Sequence, residues 1–270
     1  MLKTRVYTVL VLLPLFVAAL FYLPVAAWAL FLVPLMLVGA WEWGVLAGWR
    51  LAGRIVYVCA IAAGGILLWQ FGYNPAHGAR WVAPAVFAVA LVFWLVVAPL
   101  WLAKGWRLRA PPMVAVSGAI LLLPLWFSLI QLQVQPKILL MLMAIVWISD
   151  TAAYLCGRRW GRRKLAVSIS PGKTWEGVFG AAVAVGVYYL LINALGMAEH
   201  AVLQGVTGFA VFLVLMALGI EGDLFESWIK RSAGVKDSGA IFPGHGGVLD
   251  RIDALTASVP VAALLLGGIA

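Results

Sequence analysis

The chain has 270 residues, 65% of them hydrophobic and 11% charged, with a mean hydropathy of +1.05 and a formal net charge of +9. Soluble domains carry roughly 25% charged residues, so the composition excludes an ordinary soluble domain, and length is better counted in membrane spans of about 20 apolar residues each. The positive balance reflects ten acids as much as nineteen bases, so the placement of the charges matters more than their sum, and no nucleic-acid partner is expected.

Nine apolar runs follow one another, at residues 7–22, 24–39, 55–71, 81–102, 113–130, 138–156, 177–195, 201–220 and 254–270. Lys3 and Arg5 precede the first run, as in a signal peptide, but apolar runs simply continue after it, which favours a first span. Pro24 joins the first two runs in a tight hairpin, and both are short for full spans. With the N-terminus placed in the cytoplasm, the outside loops hold only Arg80 and Lys137, and the inside segments hold the other seventeen Lys and Arg. This asymmetry obeys the positive-inside rule. It predicts an all-α polytopic integral membrane protein of about nine transmembrane helices, N-terminus cytoplasmic and C-terminus outside. The expected location is the bacterial inner membrane, with the polar face towards the cytoplasm. Residues 1–135 hold one carboxylate, Glu42, and read as a lipid-facing scaffold; residues 136–270 read as the catalytic region with its cytoplasmic loops. The fourteen Trp suit interfacial belts. Cys59 and Cys156 fall in or at the end of apolar runs, where neither a disulfide nor a cysteine metal site is expected.

Two polar connections lie on the cytoplasmic side, at residues 157–176 and 221–253. Ahead of the first, Asp150 sits inside an apolar run, where an ionised carboxylate costs about 2.5–3.5 kcal/mol on insertion scales unless it is paired or wet. It is a functional candidate, with a structural partnership to a nearby Arg or Lys as the alternative. Five bases in seven positions follow, from Arg158 to Lys164, a pattern any cytoplasmic loop facing anionic headgroups would share. Gly172-Lys173-Thr174 resembles the end of a phosphate-binding P-loop, but Val167 stands where a glycine is required and no strand is expected before it. Ser170-Pro171 then reads as a helix start, with Lys173, Thr174 and Glu176 near its first turn as an anion site.

The second connection holds six of the ten carboxylates in 33 residues, together with Lys230, Arg231, Lys236, Arg251 and His245. If the preceding span continues as a helix, Asp223, Ser227 and Lys230 share one face with Glu226 beside them, while Leu224, Trp228 and Ile229 turn away. Lys236 and Asp237 fall in a loop bounded by Gly234 and Gly239. The run Pro243-Gly244-His245-Gly246-Gly247 is a glycine-rich turn whose amides can approach an anion. Asp250 and Asp253 open the last helix, where acids are also favourable as simple helix-end electrostatics. Acids at the ends of two spans, separated by a basic, glycine-rich loop, make oxygen ligands for a hard cation such as Mg²⁺ beside a phosphate cradle. A phosphate-handling enzyme at the cytoplasmic interface is the reading the residues support.

The run S-W-I-K-R-S-A-G-V-K-D-S-G-A-I-F-P-G-H-G-G-V-L-D-R-I-D at residues 227–253 resembles the signature of phosphatidate cytidylyltransferases, the CDP-diacylglycerol synthases. The upstream S-D-T-A-A-Y and S-P-G-K-T-W-E-G are similar to secondary motifs of that family, with Gly172 in place of its usual basic residue. The resemblance implies transfer of a cytidylyl group from CTP to phosphatidic acid, dependence on Mg²⁺ (one ion or two), a membrane-lipid setting and a homodimer. It carries metal-binding acids onto Asp223 and Asp250; Asp253 completes the candidate metal set. Lys230, Arg231, Lys236 and Arg251 become phosphate neighbours, with His245, Gly246 and Gly247 shaping the loop. Asp237 joins the candidate catalytic residues, and Asp150, Ser170, Lys173, Thr174 and Ser227 the candidate substrate-binding residues.

Three other readings compete. A CTP- or ATP-dependent lipid or polyprenol kinase would place the same charges at an interface but release a nucleoside diphosphate. A secondary transporter would show two similar halves and polar groups at mid-membrane, whereas here the halves differ and the polar residues gather at one face. A non-catalytic scaffold would not need the acids.

Overall fold

The computed structural model describes residues 2–73, 79–106, 111–241 and 246–267, with side chains from residue 10 onward. Helices occupy the apolar runs. The first two, α1 (Leu2–Tyr22) and α2 (Val25–Leu46), meet at Pro24, whose extended backbone ends one helix and whose carbonyl accepts the Trp28 amide of the next at 2.9 Å. Next, α3 (Leu51–Leu68) runs on into a π-helical turn at Trp69–Tyr73. A second such turn, Phe93–Val97, joins α4 (Val82–Val92) to α5 (Ala98–Lys104). After α6 (Pro111–Gln133) and α7 (Pro136–Trp160) comes a short antiparallel hairpin of β1 (Lys164–Ala166) and β2 (Ser170–Thr174), with Lys164 opposite Thr174. Then follow α8 (Trp175–Ala194), α9 (Gly205–Ser232) and α10 (Leu249–Leu265). The hairpin is the one departure, among the described residues, from an otherwise helical architecture.

Among the described residues, seven helical stretches are long and apolar enough to cross a membrane: α2, Leu51–Tyr73, Val82–Lys104, α6, α7, α8 and α9. Of the other two expected runs, α1 is described with side chains only over its apolar stretch Leu10–Tyr22, and α10 is 17 residues long with Asp250 in its first turn.

The helix at the centre of the fold is the last one. Every residue of α10 from 254 to 263 is buried, and α9, α6, α4, α7 and α2 all pack against it. Its sequence, A-L-T-A-S-V-P-V-A-A, is mostly small, and small side chains let neighbouring backbones come close where lipid gives no hydrophobic drive for helices to associate. From α9, Phe225 is fully buried and meets the rings of Phe93, Trp94 and Trp101 edge-on, at centroid distances of 5.4, 5.6 and 5.4 Å. Edge-to-face geometry sets the positive rim of one ring against the negative face of the next.

The tryptophans divide into two groups. Trp81, Trp160 and Trp175 are exposed at helix ends, where belts are expected. Trp28, Trp43 and Trp94 instead lie in the core, and each indole N–H donates to a carbonyl on another helix: Leu129 at 3.0 Å, Val114 at 2.8 Å and Thr256 at 3.0 Å. The last of these follows from covalent structure. Four residues after Thr256 stands Pro260, which has no N–H to give, so the Thr256 carbonyl needs a donor from elsewhere. Trp94→Phe keeps the ring bulk but leaves that acceptor bare. It is expected to destabilise the protein by about 1–3 kcal/mol, read as a lowered unfolding midpoint in detergent.

Candidate active site

The site begins where α9 and α10 cross. A Cβ at Gly222 would lie 2.5 Å from the Asp253 carbonyl oxygen and 3.2 Å from the Ala254 Cα, so only glycine permits this approach. The crossing brings Asp223, the next residue of α9, within electrostatic reach of the Asp253 carboxyl, with Glu226 and Asp150 of α7 also interacting with Asp253. Ser227, one turn on from Asp223, donates to its Oδ1 at 3.2 Å. The helical face expected from the sequence is therefore present, and α9 continues unbroken to Ser232.

Lys230 lies at the centre of the second part. Its Nζ donates to Glu226 Oε2 at 2.7 Å and to Asp250 Oδ1 at 2.5 Å, and the three side chains are only 11%, 3% and 5% exposed. The other Asp250 oxygen, Oδ2, accepts the Ser238 amide at 2.9 Å, the Ser238 hydroxyl at 3.0 Å and the Gly247 amide at 2.8 Å. Asp250 precedes the apolar stretch of α10. Burial pushes its carboxyl up, but the Lys230 hydrogen bond and charge, with the Gly247 and Ser238 amides, hold it below the usual carboxylate range. Residues 243–245 of the glycine-rich turn lie outside the described residues, and the anion that its Gly247 amide meets is the protein's own Asp250. Gly246 takes a left-handed φ of 81°, and the amides from 247 to 249 point at internal carboxylates, not at an open cradle. His245 lies outside the described residues.

Those amides reveal the residue that sequence reasoning passed over. Glu42, buried at 3% exposure on α2, accepts the Val248 amide at 3.0 Å and the Leu249 amide at 2.9 Å, and lies 3.0 Å from the Ser238 hydroxyl. It carries the first half of the chain into the site, beyond the lipid-facing role expected of it. A signal was there: a lone carboxylate inside an apolar run is a functional candidate by the argument already applied to Asp150.

The hairpin supplies the third part. Lys173 of β2 reaches α9, donating to Asp223 Oδ2 at 2.8 Å and to the Ile220 carbonyl at 3.3 Å. The helix expected from Ser170 starts five residues later. Ser170 and Pro171 lie on β2, and Thr174 caps α8 by accepting the Gly177 amide on its hydroxyl at 3.2 Å. The reason lies in the segment before the hairpin. Glu176 in the first turn accepts the amides of Arg162 and Arg163, at 3.0 Å from Arg162, and this folds the basic segment back so that β1 and β2 pair ahead of the helix. A surface cavity beside this hairpin is lined by Arg162, Arg163, Trp175, Glu176 and Phe179, none of them among the acids of the α9–α10 crossing.

The remaining candidates lie at the rim. Asp150 is exposed on α7 and interacts electrostatically with Asp223, Lys173 and Arg251. Arg231, Lys236, Asp237 and Arg251 are exposed, and the Arg231 guanidinium donates to the Val235 carbonyl at 3.2 Å.

Among the described residues, no three His, Cys, Asp or Glu side chains already surround a point that would hold a metal ion. The donor chemistry nevertheless suits a hard cation. Asp223, Asp253, Glu226 and Asp150 offer only oxygen, and the buried Glu226 Oε1 accepts no hydrogen bond from any described residue while Glu226 itself meets the Asp253 carboxyl. Two ammonium groups sit on carboxylates of the set, Lys173 on Asp223 and Lys230 on Glu226. Buried acids facing one another need protons or a positive charge between them.

The chain matches the model of the cytidylyltransferase family over residues 3–268. A phosphatidate cytidylyltransferase of Pseudomonas aeruginosa is 39% identical over 98% of this chain and 97% of its own length. One of Haemophilus influenzae is 34% identical over 96% of each. One of Brucella suis is 48% identical over 46% of this chain and 43% of its own. A family match that runs almost end to end, over a fold that sets Lys173, Lys230, Asp223, Asp250 and Asp253 about one helix crossing, leads to one conclusion: the chain belongs to the cytidylyltransferase family.

Proposed function

We propose that this protein transfers the cytidylyl group of CTP to phosphatidic acid, giving CDP-diacylglycerol and pyrophosphate for phospholipid synthesis. The observation that carries the reading is the crossing of α9 and α10, where Lys173, Lys230, Asp223, Asp250 and Asp253 converge in a chain whose full-length relatives are named phosphatidate cytidylyltransferases. A phosphate oxygen of phosphatidic acid attacks the α-phosphorus of CTP. A new P–O bond forms as the bond to the bridging β-oxygen breaks, and pyrophosphate leaves with the electron pair. Such chemistry needs positioning and charge neutralisation more than a protein nucleophile. Lys173, Lys230, Arg231, Lys236 and Arg251 meet phosphate charge, and Ser170, Thr174, Ser227, Gly246, Gly247 and Asp150 line the substrate. Asp237 and His245 complete the loop. Asp223 and Asp253, with Asp250 as the third acid of the expected set, would hold Mg²⁺, and the ion would supply positive charge for the triphosphate.

The same proposal places nine spans in a bacterial inner membrane, N-terminus inside and C-terminus outside, with residues 136–270 catalytic, the site open to the cytoplasm and two copies forming a dimer. The bias of basic residues supports the orientation.

The test uses purified protein in detergent with phosphatidic acid, Mg²⁺ and CTP labelled at the α-phosphate. Label should pass to the lipid fraction with release of pyrophosphate, and Asp250→Asn should lower the transfer by about 10²-fold or more. Label left wholly in soluble CDP would move the lipid-kinase reading ahead. No Mg²⁺-dependent movement of label in folded protein would overturn both.

A further inference from the structure

Glu42 is the only carboxylate in the first 149 residues, and it is buried. Burying a carboxylate is costly unless donors meet it, and here three do: the amides of Val248 and Leu249, at 3.0 and 2.9 Å, and the Ser238 hydroxyl at 3.0 Å. All three belong to the segment that leads into Asp250. The same Ser238 hydroxyl lies 3.0 Å from Asp250 Oδ2, and its amide donates to that oxygen at 2.9 Å. One hydroxyl carries one hydrogen, so Glu42 and Asp250 share a single donor and stand one side chain apart. The backbone is shaped to the arrangement. A Cβ at Gly239 or at Gly247 would run into the Glu42 carboxylate, and the one at Gly247 would also strike the Ser238 hydroxyl.

We propose that Glu42 is a positioning residue for Asp250. From α2, through Ser238 and the first amides of α10, it fixes the loop so that the Asp250 carboxyl keeps its register with Lys230 and the acids of α9. The effect on turnover rests on the cytidylyltransferase reading; the effect on the loop does not.

Glu42→Gln keeps the volume but turns one acceptor oxygen into a donor nitrogen facing backbone N–H groups. In the full chain, kcat for cytidylyl transfer should fall by about 10²-fold, the scale of an ångström-sized misplacement, with the KM for phosphatidic acid unchanged. Ser238→Ala should fall by about tenfold, and the double variant should be no worse than Glu42→Gln alone, since the two act through one linkage. Amide hydrogen exchange should quicken in peptides covering 238–250 and stay unchanged in α7 and α8. Wild-type turnover per folded molecule in Glu42→Gln would overturn the proposal, as would a loss of turnover accompanied by faster exchange throughout the helices. Should Glu42→Gln not fold, Ser238→Ala decides: undiminished turnover and unchanged exchange in 238–250 overturn it. Asp250→Asn separates the two readings. If that variant is active, the assignment of Asp250 to the reaction fails; if it is inactive while Glu42→Gln is not, only the role of Glu42 fails.

Discussion

Lys230→Met is expected to be the most destabilising single substitution among the charged residues of the site, at about 3–5 kcal/mol. Methionine fills much of the same volume, so packing is a small part of the loss. The charge is the large part. Lys230 joins an acid on its own helix, Glu226, to one on the next, Asp250, and both carboxylates are at least 95% removed from solvent. Without the ammonium they face each other with neither water nor a counter-charge, and truncating one partner of a buried ion pair costs more than the pair contributes when intact. Glu226→Gln should therefore restore part of the stability of Lys230→Met, because it removes one of the two stranded charges. Unfolding midpoints of the wild type, both single variants and the double variant in one detergent measure this coupling directly. A double variant whose loss is the sum of the two single losses would show that the pair contributes nothing.

Asp250→Asn is expected to lower cytidylyl transfer by about 10²–10³-fold or more, the range seen when a group that stabilises developing charge is removed. Asn is nearly isosteric with Asp, but its amide nitrogen cannot accept. Asp250 Oδ2 takes three donors and Oδ1 takes Lys230, so either orientation of the amide sets donor against donor. The variant should remain folded, because Lys230 keeps Glu226 as its partner. Turnover measured beside the unfolding midpoint separates the two effects: a large loss of activity at a modest loss of stability is the expected result. Activity that falls only in step with the folded fraction would remove Asp250 from the chemistry.

Several elements were legible because their cause is local. The helical face of Asp223, Ser227 and Lys230 follows from 3.6-residue periodicity, and the loop after it from Gly234 and Gly239. Other elements were not, because their cause lies elsewhere in the chain. The start of α8 moved from Ser170 to Trp175 because Glu176 draws back the amides of Arg162 and Arg163, so that five residues pair as a strand where their own propensities suggest a helix start. The glycine-rich turn was read as able to approach a ligand, yet its Gly247 amide is taken by Asp250 and the two amides that follow it by Glu42, some 200 positions earlier.

The sequence by itself determined a mostly helical chain with several helices long and apolar enough to cross a membrane, and it gathered most of the acids into the stretch that leads into the last helix. Hydropathy, charge bias and fixed polar spacings are properties of a chain read in one dimension. Only the tertiary structure decided that α10 stands at the centre of the bundle, that Gly222 lets two acid-bearing helices touch, and that Lys230 and Glu42 each hold Asp250 from a different side. Those facts depend on which backbones can approach closely and which buried charges must be answered, and both are settled by packing between distant segments.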